Sequence, residues 1–143
     1  MASVLKTKSY KFAIRVVRLS QFLQTEKKEF VLSKQVLRSG TAVGALIREA
    51  EFGQSRADFT SKMSIALKEA NETDYWLSIL KDTDYIEPQL FESLQSDCKE
   101  LIAMLVSTVK TSKKRTPFSL LVLHFSLLVF HFSLLIFSSS LNP

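Results

Sequence analysis

The chain has 143 residues, about one domain's worth, with 46% hydrophobic and 23% charged residues and a formal net charge of +5. That balance excludes disordered and fibrous classes. With three Gly, three Pro and one Cys, it also excludes turn-rich sandwiches and barrels, Gly-cradled nucleotide folds, disulfide frameworks and zinc sites built from CxxC pairs.

From Leu5 to Val109 the apolar period is helical, and four seams follow one another. Leu5, Phe12, Val16, Leu19 and Leu23 mark the first; Val36, Gly40, Val43, Ile47 and Ala50 mark the second. Phe59, Met63, Ala66, Ala70, Thr73, Leu77 and Leu80 mark a long third, and Phe91, Leu94, Cys98, Leu101 and Leu105 the fourth. Each stripe turns one helix face toward a shared core. The punctuation agrees. Gly53 is placed to end the second helix in the left-handed conformation, Ser55 and Asp58 form a capping box for the third, and Pro88 suits the first turn of the fourth. Short connections force antiparallel neighbours. The fold class is therefore all-α, an up-down-up-down antiparallel four-helix bundle, with a non-homologous apolar C-terminal tail.

Gly40 and Gly44 lie one turn apart in the second helix, where each costs about 1 kcal/mol against Ala. Tight helix packing or the approach of a ligand would offset that cost, and packing is the favoured reading.

All 33 charged residues lie at or before Arg115. Residues 1–109 are nearly neutral, with 15 basic and 14 acidic residues, and Lys110, Lys113, Lys114 and Arg115 supply most of the net charge. The division is a bundle over 1–109, a basic hinge over 110–116 and a low-complexity tail over 117–143. The tail repeats a heptad: PFSLLVL, HFSLLVF, HFSLLIF. Its apolar residues surround the whole helical wheel, which is not a coiled-coil seam. The 20 uncharged residues from Phe118 to Phe137 are long enough to span a bilayer, but Pro117 and the β-propensity of the repeat favour a fortuitous extension over a membrane anchor. Met1 to Lys11 is polar and basic, without the apolar run of a signal peptide, so the expected location is the cytoplasm.

Chemistry-bearing residues are sparse. Both histidines, His124 and His131, belong to the tail repeat, so the bundle has no His for acid–base work or metal ligation. Without a Glu-x-x-His pair, Glu49, Glu51, Glu69, Glu72 and Asp74 do not make a di-metal set. Cys98 lies on the fourth seam as a small buried hydrophobe with no activating base. No catalytic residue, metal or cofactor is expected. On the first helix, Lys8, Lys11, Arg15 and Arg18 recur at +3, +4 and +3 as one basic stripe, and no acidic residue precedes Glu26. Such a stripe either meets successive phosphates or is a solvated face, and Phe22 is its one aromatic neighbour. Ile14 and Val17, together with Trp76 and Ile79, lie off the core seams, where they read as a subunit interface or as a widened core face.

The segment from Leu37 to Leu80 resembles the bacterial four-helix bundle family of 23S rRNA intervening-sequence proteins. Arg38-Ser39-Gly40-Thr41 with Val43-Gly44 is similar to that family's helix-two motif, and Glu49-Ala50 follows it. Asp58-Phe59, Lys62, Ala66 through Thr73 and Tyr75-Trp76-Leu77 match the helix-three signature; Leu46 stands where the family commonly has Asn. The similar accessory variability determinant protein of diversity-generating retroelements is a pentameric barrel with a basic surface that works with a reverse transcriptase and nucleic acid. The resemblance implies a non-enzymatic homo-oligomer, a pentamer by analogy, that offers Lys8, Lys11, Arg15 and Arg18 to RNA or DNA, with Lys110, Lys113, Lys114 and Arg115 as an extension. It implies structural ion pairs or interface contacts for Arg38, Glu49, Lys62, Glu69 and Glu72. The alternatives are a protein-interacting adaptor that binds no nucleic acid and a bundle anchored by its tail.

Overall fold

The computed structural model describes residues 2–114. They form four helices: α1 (Ala2–Thr25), α2 (Leu32–Glu51), α3 (Arg56–Asp82) and α4 (Pro88–Lys114). Cross-helix pairs fix the topology. Lys6 meets Glu51 and Ser20 meets Ser33 between α1 and α2, while Arg38 meets Glu69 and Glu49 meets Lys62 between α2 and α3. Cys98 meets Ala70 and Gln95 meets Asp74 between α3 and α4, and Lys8 meets Glu100 and Arg15 meets Asp97 between α1 and α4. In every case one partner's number rises as the other's falls. Neighbours are therefore antiparallel, and α1 and α3 sit on opposite corners.

The apolar stripes close on one core. Phe12, Val16, Leu23, Val36, Val43, Leu77, Leu80, Leu101 and Leu105 are among its buried members, each contributing roughly 1.5–3 kcal/mol on leaving water. Phe59 and Phe91, read as seam residues, are half-buried at its edge. Leu46 also packs there. Polar groups inside the bundle are satisfied locally. Thr73 Oγ1 donates to Ser39 Oγ at 2.9 Å, and Ser20 Oγ donates to the Ser33 carbonyl at 3.2 Å.

The two mid-helix glycines prove unequal. A Cβ on Gly40 would lie 2.8 Å from both γ-carbons of Val16, a buried and β-branched neighbour with little freedom to move. A Cβ on Gly44 would meet Ser9 at 3.6 Å, an ordinary contact. Close packing of α1 on α2 thus explains Gly40 but does not require Gly44.

The helix ends correct part of the sequence reading. Gly53 does not adopt a positive φ; the left-handed residues are Lys28 (φ 53°) and Asp84 (φ 60°). What Gly53 avoids is crowding, since a Cβ there would lie 3.2 Å from the Ala50 carbonyl and from Asp58 Oδ2. Asp84 turns the chain after α3, with the Tyr85 amide donating to the Leu80 carbonyl at 2.9 Å. Ser55 caps α3 by accepting from the Asp58 amide at 3.1 Å, and Asp58 accepts from the Gln54 amide at 3.2 Å. Pro88 opens α4 as expected. Helix α4 continues through Lys110 to Lys114, across much of the stretch read as a hinge. Arg115 and the 117–143 tail, with the membrane reading it carries, lie outside the described residues. No helix among the described residues is long and apolar enough to cross a membrane.

A cap absent from the sequence reading starts α2. The Glu29 carboxylate, 8% exposed, accepts from the amides of Val31 (2.9 Å), Leu32 (2.8 Å) and Ser33 (2.6 Å). Burial pushes its carboxyl up, but hydrogen bonds from Leu32, Ser33 and Val31 outweigh burial and hold it below the ordinary 4.5. Helix N-termini leave their first amides without intrahelical partners, and one carboxylate here satisfies three of them.

Two outcomes follow from this packing. Gly40→Ala is expected to destabilise the bundle by about 1–3 kcal/mol through overpacking, whereas Gly44→Ala is expected to be neutral or to stabilise it by up to about 1 kcal/mol; urea unfolding of both variants checks this. Glu29→Gln is expected to cost about 1–2 kcal/mol at neutral pH. The folded carboxyl titrates below the unfolded one, so its stabilisation is full above the ordinary 4.5 and is lost as pH falls through the lower folded value. The gap between wild type and Glu29→Gln in thermal melts should therefore shrink on acidification through that window.

Candidate nucleic-acid interface

The basic stripe of α1 runs along its border with α4, and α4 neutralises half of it. Lys8 Nζ lies 2.8 Å from Glu100 Oε2. Arg15 pairs with Asp97 and also donates to Ser93 Oγ at 2.8 Å and to the Ser93 carbonyl at 3.2 Å. Ser93, Asp97 and Glu100 are spaced +4 and +3, the same helical period as the cations they meet. Lys11 and Arg18 are exposed and have no ion-pair partner among the described residues. The four cations read as one surface are thus two structural groups and two solvent-facing ones.

Apolar and aromatic side chains share this outer face. Tyr10 (56% exposed), Ile14 (37%) and Val17 (38%) follow one another at +4 and +3, and Phe22 is 37% exposed near the C-terminal end of α1. The Arg48 guanidinium of α2 sits over the Tyr10 ring, 5.5 Å from its centroid, which adds a third cation to the face. Trp76 and Ile79 belong to α3, on the opposite corner of the bundle, and both are half-buried. Trp76 packs on the core, stacks edge-on with Tyr75 at 5.0 Å and donates its indole N–H to Glu72 Oε1 at 3.0 Å. Ile14 and Val17 therefore do not form one patch with Trp76 and Ile79.

Arg38, Glu49, Lys62, Glu69 and Glu72 clasp α2 to α3. Arg38 pairs with Glu69 at 3.2 Å and with Glu72, while Lys62 Nζ pairs with Glu49 at 2.7 Å. The hydrogen bond that Arg38 donates to Glu72 raises the Arg38 pKa above its ordinary value, and hydrogen bonds from Arg38 and then Trp76 hold the Glu72 carboxyl low. The Glu49 hydrogen bond likewise raises Lys62. These pairs serve as ties between α2 and α3.

The one thiol is not a nucleophile. Cys98 is buried, donates to the Ala70 carbonyl at 3.2 Å, and has its pKa pushed up to about 12 by burial, with the nearby Asp74 charge adding to the shift. Among the described residues no group of His, Cys, Asp and Glu is arranged to hold a metal ion.

Comparison with known proteins places this architecture. The model of the 23S rRNA-intervening sequence proteins matches residues 3–107, reaching into all four helices. The chain belongs to the 23S rRNA-intervening sequence protein family. Among solved structures it is similar to a protein of unknown function from the S23 ribosomal protein family of Bacteroides thetaiotaomicron, with 56% identity and a TM-score of 0.75. That match covers 76% of this chain and 97% of the other. No curated protein matches. The family match ends before Lys110 and leaves the basic hinge and the repeat tail uncovered. Arg38, Glu49, Lys62, Glu69 and Glu72, read from the sequence as motif residues, tie α2 to α3 by ion pairs.

Proposed function

We propose that this chain is a non-enzymatic, self-associating bundle of the cytoplasm that offers the outer face of α1 to RNA or DNA. One observation carries the reading: Lys11 and Arg18 remain exposed and unpaired among the described residues where Lys8 and Arg15 are held by α4. A cation already paired with a carboxylate must break that pair to meet a phosphate; an unpaired one only releases its counterions. Arg48, held over Tyr10 on the adjoining helix, adds to the same face. Lys110, Lys113 and Lys114 at the end of α4 would add long-range attraction. Assembly, pentameric by analogy with the accessory variability determinant protein, would draw on Ile14 and Val17 of α1 and on Trp76 and Ile79 of α3.

A protein-binding adaptor is the rival reading. It is favoured by Tyr10, Ile14 and Val17 lying exposed along one helix, a pattern that fits a protein partner as well.

The test is a salt titration of RNA and DNA binding by the full chain and by Lys11→Glu/Arg18→Glu, with helicity checked and mass fixed by light scattering. The expected result is a log–log salt slope of several units for the wild type, reduced by about two units in the double variant with a loss of tenfold or more in affinity. Equal binding by both proteins would overturn the placement of the site. An oligomer that binds neither polymer would leave the adaptor reading standing.

A further inference from the structure

At the C-terminal half of α1 the basic face opens into a pocket of about 240 Å³ shared with the start of α4. Arg15, Arg18, Leu19, Phe22, Leu90 and Leu94 line it. Leu19 and Leu94 are buried and make an apolar floor; Phe22 and Leu90, each 37% exposed, stand at the rim. Arg15 is fixed as one wall by Asp97 and Ser93, so only Arg18 is an uncommitted cation there. Lys27 Nζ lies over the Phe22 ring, 5.9 Å from its centroid, and brings positive charge to one of its two faces.

This combination selects its occupant. An apolar floor and an aromatic rim want a flat ring, while Arg18 and Lys27 want an anion a short distance from it. The volume falls below the roughly 300–1,000 Å³ of pockets that engulf a whole drug-sized ligand, so it suits one ring of a longer polyanion. A base inside a duplex is stacked and paired and presents no free face, whereas an unstacked base in a single strand carries both the ring and the phosphate. We infer that this α1–α4 pocket receives one unstacked base of a single-stranded nucleic acid on Phe22, with Arg18 on the adjoining phosphate. The inference rests on the nucleic-acid reading above and adds the strand state of the polymer and the side chain that senses it.

The experiment compares the full chain with Phe22→Ala, Phe22→Leu and Phe22→Trp, using fluorescence anisotropy at fixed salt. The probes are oligouridine, oligothymidine and a fully paired RNA duplex of the same length. Phe22→Leu keeps apolar volume without an aromatic face, so it guards against a folding artefact, and thermal melts check each variant. The expected result is a loss of about 5- to 150-fold for both single strands in Phe22→Ala and Phe22→Leu, the range one stacked base contributes. Phe22→Trp should retain affinity, and the duplex should bind all four proteins alike. If the wild type binds all three probes and Phe22→Leu binds the single strands as tightly as it does, the pocket inference falls and the nucleic-acid reading survives. If the wild type binds none of the probes, both fall.

Discussion

Val16 and Gly40 bring α1 and α2 so close that no side chain fits between them: a methyl on Gly40 would sit 2.8 Å from both Val16 γ-carbons. That contact sets the rotation and register of α1, and much of the molecule follows from it. With Val16 on Gly40, Ser9 falls against Gly44, Ser20 against Ser33 and Lys6 against Glu51. The same rotation turns Lys8 and Arg15 toward α4 and leaves Lys11, Ile14 and Arg18 facing solvent. A steric constraint inside the bundle thereby decides which cations reach the surface unpaired.

The ion pairs that border the helices carry little energy individually. Exposed pairs of this kind contribute about 0–1 kcal/mol each, far less than the buried Leu, Val and Phe side chains of the core. Their larger consequence is electrostatic subtraction. By pairing with α1, Glu100 and Asp97 remove two of four aligned positive charges from the face available to a polyanion, and what remains is sparser and more mixed with apolar groups. A surface with a few free cations among Tyr10, Ile14, Val17 and Phe22 suits a partner with both charge and rings better than it suits a uniform phosphate backbone.

Much of the fold was legible because core faces obey the helical period: the seam residues from Leu5 to Leu105 are the buried or half-buried ones, and Ser55 and Pro88 mark the helix starts they announce. Glu29 was not legible as a cap, because it lies outside α2 and reaches the Val31, Leu32 and Ser33 amides only through the path of the connection that α1 packing against α2 sets. Gly53 misled for a related reason: Gly is the usual left-handed residue, yet here it relieves crowding while Asp84 and Lys28 take the positive φ. The candidate site was half legible. The cation spacing on α1 was readable within one helix, but its neutralisation needed the antiparallel register of α4, which a single stripe does not encode. The +4 and +3 spacing of Ser93, Asp97 and Glu100 was the available signal.

The α4 carboxylates divide the α1 stripe into structural and available cations, and removing those carboxylates while leaving the cations alone tests that division. In Asp97→Asn/Glu100→Gln, Lys8 and Arg15 lose their charged partners. RNA affinity should rise and the log–log salt slope should steepen by up to about two units, one for each released cation. An affinity and slope identical to the wild type's would mean that the pairing of Lys8 and Arg15 has no bearing on what the surface binds, and the division would fall.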